Sequence, residues 1–551
     1  MGEGSAHSMN YGFIIDNRKC IGCHACTVAC KAEHNVPLGV NRTWVKYIEK
    51  GQYPYTRRLF TVTRCNHCAD APCVEICPVT ALYTRPDGIV DFNNDRCIGC
   101  KACTQACPYD ALYIDPDLHT AAKCNYCTHR VESGVEPACV IVCPVHAIIS
   151  GDIDNPATEI AQLLASEPVQ VRKPEKNTRP KLYYIGADES ALTPTMAPNA
   201  SDYMWSSQSG AVGHALKDAD TSEAANYESA DFITRLLKEP ESLSAATKLN
   251  ERRDDYASIA QGAQASRRAY DVPSEGVMWG WEVAAYVWTK AIAAGAVLVP
   301  FLATGLGIGN QSSAVGLSAV IVALVFIGFT GVLLVIDLDR PERFYYVLIR
   351  PQWRSWLTRG AYIITGYSIL LALWAVADIF GVTGFRDYLH WPIIVFAVLT
   401  AIYTGFLFAQ AKGRDFWQDP ALVLQMLIHA VSAGSAALLL LSLMLPSIGF
   451  DRTLLARTLL GGLIVSALVL AFELGTSHPT QDAERAKNSI ARGLFAPLTW
   501  LGVAGVGLLF PILLISIGSS LLVMIAAVMT LVGLFLHEHI WVRAPQLIPL
   551  S

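Results

Sequence analysis

Residues 20–30 read CIGCHACTVAC, and residues 97–107 repeat the same spacing as CIGCKACTQAC. Both stretches follow the pattern C-x2-C-x2-C-x3-C. Two other groups of four cysteines have looser spacing, and a proline follows the last cysteine of every group except the first. The groups are Cys20, Cys23, Cys26 and Cys30; Cys65, Cys68, Cys73 and Cys77; Cys97, Cys100, Cys103 and Cys107; and Cys124, Cys127, Cys139 and Cys143, which together use all 16 cysteines of the 551-residue chain.

This spacing suits a cubane iron–sulfur cluster, which needs four thiolates that converge from different directions. A C-x2-C-x2-C loop supplies three of them, and the fourth cysteine points toward a neighbouring cluster. Disulfide frameworks are typical of small secreted domains, and structural zinc takes one or two quartets of looser spacing. The pattern therefore predicts four [4Fe-4S] clusters. We expect apolar residues of the motifs to shield them from water, namely Ile21, Val28, Ile76, Ile98, Ile141 and Val142.

Through these motifs, residues 11–190 resemble the four-cluster iron–sulfur subunit of the complex iron–sulfur molybdoenzymes, the group that contains polysulfide, dimethyl sulfoxide and nitrate reductases. The resemblance implies that the first motif pairs with the fourth, and the second with the third. The implied ligand sets are Cys20, Cys23, Cys26 and Cys143; Cys124, Cys127, Cys139 and Cys30; Cys65, Cys68, Cys73 and Cys107; and Cys97, Cys100, Cys103 and Cys77. Some relatives replace one cysteine and carry a three-iron cluster, whereas this chain lacks none of the cysteines.

The segment between the cysteine motifs and the apolar half has no catalytic pattern. Val169–Tyr184 reads as a basic, extended tail of the cysteine-rich domain. Ser190–Asp220 is rich in Ser, Ala, Asp and Pro and predicts a loop, and residues 224–268 predict one or two surface helices. We therefore expect residues 191–276 to be a linker or a docking segment.

The second half of the sequence is a predicted membrane domain. Of all residues, 52% are apolar and 16% are charged, and the mean hydropathy is +0.34, which excludes an ordinary soluble enzyme. Stretches long enough to span a bilayer lie at about 278–304, 313–336, 357–380, 390–411, 421–446, 454–475, 494–516 and 518–540. The predicted architecture is an α+β, double-ferredoxin-like four-cluster domain at 1–190, followed by an all-α bundle of eight transmembrane helices at 277–551.

Two motifs give this half a resemblance of its own. Trp281–Gly295 reads W-x6-W-T-K-x2-A-A-G, and Asp337–Phe344 reads DLDRPERF. With the eight spans, they resemble the NrfD/PsrC family of quinone-reactive membrane subunits. In most relatives the iron–sulfur and membrane parts are separate chains, whereas here they are joined.

Charge distribution predicts the orientation in the inner, cytoplasmic membrane. The loops on the side of the iron–sulfur domain carry most of the arginines and lysines, which favours the cytoplasm for that side. The first residues also contain no twin arginine and no apolar signal segment. We therefore expect a multi-pass protein whose iron–sulfur domain faces the cytoplasm. The net charge of −5 and the absence of a basic stripe argue against a nucleic-acid partner.

Ionisable groups inside membrane spans are costly and usually functional. We predict that a quinone, either menaquinone or ubiquinone, binds near the start of the first span. The candidate proton-handling residues are Glu282, His429, Lys290, Asp337 and Glu473, and the candidate binding residues are Trp281, Tyr286, Trp288, Gln425 and Arg340. An alternative is that Lys290 pairs with Glu473 or Asp337 and only stabilises the fold. His429 is the one histidine placed well inside a predicted span, so we expect no haem.

Joined together, the two halves predict an electron path. The resemblance implies a partner subunit with a molybdenum or tungsten pterin centre that acts on a sulfur compound such as sulfite, or on formate. Electrons would pass between that centre and membrane quinone, in a direction that the sequence leaves open. Two alternatives remain: a subunit of a nickel–iron hydrogenase complex, and a proton-translocating quinone oxidoreductase subunit.

The sequence generates one direct test. Replacing Glu282 by Gln removes a carboxylate without a large change in volume, so we expect lower quinone turnover while the clusters stay intact. Turnover would be measured with a soluble quinone analogue, and cluster content by iron analysis. Unchanged turnover would exclude Glu282 from proton handling.

Overall fold

The computed structural model describes residues 9–51, 56–197, 266–272, 276–308 and 312–551. The chain forms two compact units, Met1–Met278 with Pro549–Ser551, and Trp279–Ile548. The first unit combines small sheets with short helices, and the second contains eight long apolar helices. The predicted fold class is confirmed.

The first unit contains two larger sheets and two hairpins. The strand order is β8-β1-β10-β9 in one sheet and β11-β2-β3 in the other, and β4–β5 and β6–β7 are the hairpins. Within the first sheet only β1 and β10 pair in parallel, with Phe13 opposite Leu182. The strands are β1 Tyr11–Asp16, β2 Thr43–Lys50, β3 Arg57–Arg64, β4 Leu82–Thr84, β5 Val90–Phe92, β6 Leu112–Ile114, β7 Ala121–Lys123, β8 Ile148–Asp152, β9 Val169–Gln170, β10 Leu182–Ile185 and β11 Ser266–Tyr270.

The helices of this unit are short because most of them begin or end in a cysteine motif. They are α1 Ala25–His34, α2 Pro72–Ile76, α3 Ala102–Ala106, α4 Thr128–Val131, α5 Ala138–Ile141, α6 Glu159–Ser166 and α7 Glu189–Leu192, with 3₁₀ turns at Pro174–Lys176 and Pro194–Met196. Of these, α1 to α5 each contain or directly follow a cysteine. The motifs therefore determine where the helices lie.

One prediction about the middle of the sequence is wrong. Val169–Tyr184 is not a tail: its first two residues form β9, and its last three belong to β10, which pairs with β1 inside the sheet. Five of its residues are buried, namely Arg172, Thr178, Lys181, Leu182 and Tyr184. Residues 266–268, at the end of the segment predicted to contain one or two surface helices, form part of β11, which pairs with β2. The rest of that segment and most of the predicted loop fall at 198–265, outside the described residues, so the helices stay a prediction.

The second unit is a bundle of apolar helices. The long helices are α8 Trp281–Gly305, α9 Ser313–Ile336, α11 Trp356–Ile379, α12 Thr383–Gln410, α13 Ala421–Met444, α14 Arg452–Gly475, α16 Leu498–Ile517 and α17 Ser520–Arg543. Shorter elements are α10 Tyr346–Ile349, α15 Gln481–Ala491 and 3₁₀ turns at Pro341–Arg343, Asp415–Gln418, Pro446–Ile448 and Ala544–Leu547. Residues Leu498–Leu509 of α16 adopt π-helical geometry, which the apolar pattern of that segment does not reveal.

The helix α8 forms the centre of the bundle. It is the most buried of the eight long helices, whereas most residues of α9, α14 and α16 are at least partly exposed. The exposed side chains of these outer helices are themselves apolar, for example Phe329, Leu468 and Leu501. Helices that are apolar on every face and exposed on one of them are typical of membrane proteins, where the exposed face contacts lipid.

Glycines allow α8 and α13 to touch along their backbones. A Cβ atom on Gly434 would overlap the backbone of Gly295, and a Cβ atom on Gly295 would overlap the Ala430 carbonyl. Gly507 and Gly533 make the same kind of contact between α16 and α17. Such small residues bring membrane helices into close van der Waals contact. Gly461 differs, because no heavy atom of the described residues comes within 4 Å of a Cβ placed there.

This contact gives a test of packing. We expect Gly434→Val to force α8 and α13 apart and to destabilise the protein by about 3 kcal/mol, the upper range for overpacking a core. The matched control is Gly461→Val, which adds the same side chain at an open position. The midpoint of thermal unfolding in detergent micelles checks both variants, and equal midpoints would contradict the close contact.

Candidate functional site

The two tightly spaced cysteine loops share one backbone conformation. Gly22 and Gly99 both have φ of 70°, and His24 and Lys101 two residues later have φ of 60° and 59°. A Cβ at Gly22 would overlap the ring of Phe60. Glycine is therefore needed at position 22 both for its backbone angle and for the close approach.

The fourth cysteine of each motif lies among the cysteines of its partner motif. The thiol of Cys30 interacts electrostatically with Cys124, Cys127 and Cys139. The same kind of interaction joins Cys20 to Cys143, Cys68 to Cys107, and Cys103 to Cys77. These neighbours agree with the four ligand sets that the resemblance implies.

Burial makes these thiols hard to ionise without a metal. It raises the pKa of Cys26 to about 11 and that of Cys107 to about 12. Iron binds the thiolate, so metal binding would release these protons. Thiol groups held in apolar surroundings are a donor set that suits iron–sulfur clusters.

A cavity marks one of the ligand sets. Its lining includes the four cysteines Cys77, Cys97, Cys100 and Cys103. The rest of the wall is largely apolar, with Val79, Ala81, Leu82, Phe92 and Ile98 among its residues. Four thiols around an apolar cavity fit a [4Fe-4S] cluster.

Backbone N–H groups donate to the cysteine sulfurs in a repeated way. Ala81 N donates to Cys77 Sγ and Ala147 N donates to Cys143 Sγ, both at 3.2 Å. Ala111 makes the corresponding backbone contact with Cys107. The signal is visible in the sequence as CPVTA, CPYDA and CPVHA at 77–81, 107–111 and 143–147. Hydrogen bonds to sulfur stabilise the negative charge of a cluster.

The expected apolar shielding holds for only part of the set. Ile76 and Ile98 are buried, but Ile21, Val28, Ile141 and Val142 are exposed. Cys23 is exposed as well. The first and fourth motifs therefore approach the surface of this unit, whereas the second and third motifs lie mostly inside it.

In the membrane unit, a cavity lies between α12, α13, α17 and the turn that precedes α13. Its lining consists of Phe408, Trp417, Leu422, Gln425, Met426, His429, His537, Glu538 and Trp541. Two of these residues, Gln425 and His429, belong to the predicted quinone site. The others come from positions to which no role was assigned from the sequence.

Hydrogen bonds join the polar groups of this cavity in pairs. His429 Nδ1 lies 2.8 Å from Glu538 Oε1, and both side chains are buried. Gln425 Nε2 lies 2.9 Å from His537 Nε2. The ring of His537 stacks on Trp541, with centroids 3.9 Å apart. Each polar group therefore has a fixed orientation.

Glu473 acts on the cavity through Trp541. The indole Nε1 of Trp541 donates to Glu473 Oε1 at 3.0 Å. Glu473 itself is buried but does not line the cavity. It therefore fixes the ring on which His537 stacks.

Lys290 is buried near the middle of α8. Its ammonium group donates to the Ala401 carbonyl at 3.2 Å and to Thr404 Oγ1 at 2.5 Å, and lies 4.5 Å from the Tyr403 ring centroid. Among the described contacts of Lys290, there is no ion pair with Glu473 or Asp337. Lys290 instead interacts electrostatically with Glu538.

The other predicted residues lie away from the cavity wall. Trp281 is exposed, Arg340 pairs with Glu342 at 3.4 Å, and Trp288 donates to the Leu531 carbonyl at 2.9 Å. Glu282, Asp337 and Tyr286 do not line the cavity either. Arg543 lies close enough to Glu282 for an electrostatic interaction, as Tyr286 does to Asp337 and Glu538. Their predicted roles remain predictions.

The prediction that His429 is the one histidine well inside a span is wrong. The last span extends to Leu547, so His537 and His539 lie several residues from its end, and His390 lies in α12. The rings of His429 and His537 are in direct contact, with centroids 4.6 Å apart. The sequence signal that was missed is H-E-H at 537–539.

Comparison with known proteins covers both halves. A family model described as "Polysulphide reductase, NrfD" matches residues 272–549, and two models described as 4Fe-4S dicluster domains match residues 19–82 and 56–153. A tetrathionate reductase subunit of Salmonella typhimurium is 44% identical over 208 residues, which cover 37% of this chain and 82% of the relative. A polysulfide reductase subunit of Wolinella succinogenes is 43% identical over 180 residues, covering 32% and 93%. Protein NrfC of Escherichia coli is 41% identical over 182 residues, covering 32% and 82%.

Proposed function

This protein belongs to the polysulphide reductase NrfD family, and on that premise we propose that it links a catalytic subunit to membrane quinone in a respiratory complex. The predicted fusion of an iron–sulfur subunit with an NrfD membrane subunit is confirmed. Electrons pass through four [4Fe-4S] clusters, and the substrate is oxidised or reduced at a molybdenum or tungsten pterin centre on a separate chain. Tetrathionate and polysulfide in the names of two relatives favour a sulfur compound over formate.

The clusters are held by the four cysteine sets described above, and each supplies one-electron transfer when bound. The chain's own contribution is to exclude water and to stabilise negative charge at sulfur. Buried apolar side chains such as Ile76 and Ile98 serve the first purpose. The backbone N–H groups of Ala81 and Ala147 serve the second.

The cavity of the membrane unit is the observation on which the quinone site rests. A quinone head group is a flat apolar ring with an oxygen at each end. Trp417, Phe408 and Trp541 offer flat aromatic surfaces, and the two hydrogen-bonded pairs offer polar groups in the same cavity. A largely apolar pocket with a few oriented polar groups is typical of small-molecule binding sites.

The pair His429–Glu538 is suited to proton exchange with the quinone. Glu538 binds Nδ1 of the imidazole, which leaves Nε2 available to a ligand. A carboxylate in this position orients the ring and fixes its tautomer. Reduction of a quinone to a quinol takes up two electrons and two protons, so a group that donates a proton at one oxygen assists the reaction. The reverse reaction uses the same groups as proton acceptors.

The pair Gln425–His537 offers a second polar contact. The Gln425 side-chain amide holds one nitrogen of His537, and Trp541 holds the face of the ring. The second ring nitrogen of His537 is the proposed partner of the other quinone oxygen. Positioned in this way, the ring needs little reorganisation when a quinone binds.

The proposed location is the inner, cytoplasmic membrane, with the iron–sulfur unit in the cytoplasm. The support is the excess of arginine and lysine in loops on one side of the spans, such as Arg350 and Arg354.

Metal analysis of the complex purified from its own cells tests the proposed partner. We expect molybdenum or tungsten to co-purify with this protein, because both resemblances imply a pterin-type catalytic subunit. Mass spectrometry of the same preparation identifies the partner. Stoichiometric nickel without molybdenum or tungsten would contradict the proposal and favour a hydrogenase complex.

The quinone site is tested with two histidine variants. We expect His429→Gln to lower quinone turnover by at least about 100-fold, the lower range for loss of an acid–base group. The matched control is His390→Gln, which removes another histidine within a span; its ring contacts the Phe301 carbonyl, away from the cavity. Iron content shows that the clusters remain, and turnover is measured with a soluble quinol or quinone analogue. Normal turnover of His429→Gln would exclude this cavity as the quinone site.

A further inference from the structure

Arg64 is a fully buried cation between two of the cysteine sets. It is the last residue of β3 and directly precedes Cys65. Its relative exposure is 0%. Its Nη1 donates to Cys139 Sγ at 3.0 Å, and its Cζ lies 4.5 Å from the centroid of the buried Phe13 ring. The side chain thus reaches from one end of β3 into the centre of the unit.

The surroundings of Arg64 point to sulfur as its partner. Among the described residues no carboxylate pairs with Arg64, and its Nε and Nη2 have no hydrogen-bond acceptor although both are buried. Its electrostatic neighbours are Cys139, Cys124 and Cys26. A buried guanidinium without an anion is costly, and its unsatisfied donors would be satisfied by the sulfur atoms of a cluster.

The charge of Arg64 is permanent. A guanidinium is not deprotonated in proteins, even when it is buried. A second side chain touches the same cysteine set, since His34 Nε2 lies 3.1 Å from Cys127 Sγ. Of these two contacts, that of Arg64 carries a permanent charge.

We propose that Arg64 sets the reduction potential of the cluster bound by Cys30, Cys124, Cys127 and Cys139. This inference rests on the cluster ligation of the proposed function. When such a cluster accepts one electron from a neighbouring redox group, its net charge becomes more negative by one, and no proton is needed. A fixed cation in contact with a ligand sulfur stabilises the reduced form more than the oxidised form, most strongly where water is excluded. The potential of this cluster is therefore more positive than it is with a neutral residue at position 64.

The consequence for electron flow is a difference between neighbouring clusters. Arg64 donates directly to Cys139 of one set but has only a longer-range interaction with Cys26 of the adjacent set. The first of these clusters gains more from the charge, so Arg64 raises its potential relative to that of its neighbour. Arg64 acts on the cluster through its ligand Cys139, and is therefore a positioning residue of the electron path.

The test is a redox titration of the purified full-length protein, monitored by electron paramagnetic resonance. We expect Arg64→Met and Arg64→Gln to shift the midpoint potential of one cluster to a more negative value. The expected shift is at least about 59 mV, which corresponds to a tenfold change in the one-electron reduction equilibrium. Arg64→Lys keeps the charge and is expected to stay nearer to the original midpoint. The remaining clusters should shift much less.

Arg172→Met is the matched control. Arg172 is a buried arginine of the same unit whose hydrogen bonds go to the Leu192 and Leu550 carbonyls. Its removal should leave all cluster midpoints unchanged, which separates the effect of charge at sulfur from that of losing any buried arginine.

Three results would overturn the proposal. The first is unchanged midpoints in Arg64→Gln or Arg64→Met with full iron content. The second is an equal shift in the lysine and neutral variants, which would indicate packing rather than charge. The third is loss of iron from both neutral variants while Arg64→Lys stays loaded, which would assign Arg64 to cluster assembly. None of these readouts depends on the partner subunit or on quinone, so failure here is distinguishable from failure of the proposed function.

Discussion

Thiols from the two ends of the cysteine-rich segment must converge, and the first unit depends on that convergence. Cys30 lies among Cys124, Cys127 and Cys139, and Cys143 lies beside Cys20. The same ends of the segment are joined by hydrogen bonds, because β1 pairs with both β8 and β10. Metal ligation and strand pairing thus close the same long loop. Binding of a cluster to such a set contributes to folding as well as to electron transfer.

In the membrane unit the governing constraint is the cost of polar groups away from water. Each buried polar group described around the cavity has a partner on another helix or turn: His429 with Glu538, Gln425 with His537, and Trp541 with Glu473. These bonds connect α13, α14 and α17. Because the pairs are satisfied before any ligand arrives, the cavity keeps its shape and its polar groups keep their directions.

The sequence predicted those features that depend on regular spacing. Cysteine spacing predicted the motifs, and apolar length predicted the eight long helices, because both are local properties of the chain. It did not predict that β10 lies beside β1 or that β11 joins β2, because pairing across a long separation leaves no local pattern. In the candidate quinone site, Gln425 and His429 were identified as unusual polar residues in an apolar span. His537 and Glu538 were missed because the last span was predicted to end at about 540, which placed them at its edge.

The pairing of β11 with β2 also determines how the chain enters and leaves residues 198–265. The described residues stop at Ala197 and resume at Ser266, whose hydroxyl donates to the Met196 carbonyl at 2.5 Å. The two points of departure and return are therefore fastened together by the fold itself. The register of β2, β3 and β11 thus holds Ser266 beside Met196, at the two ends of that stretch of sequence.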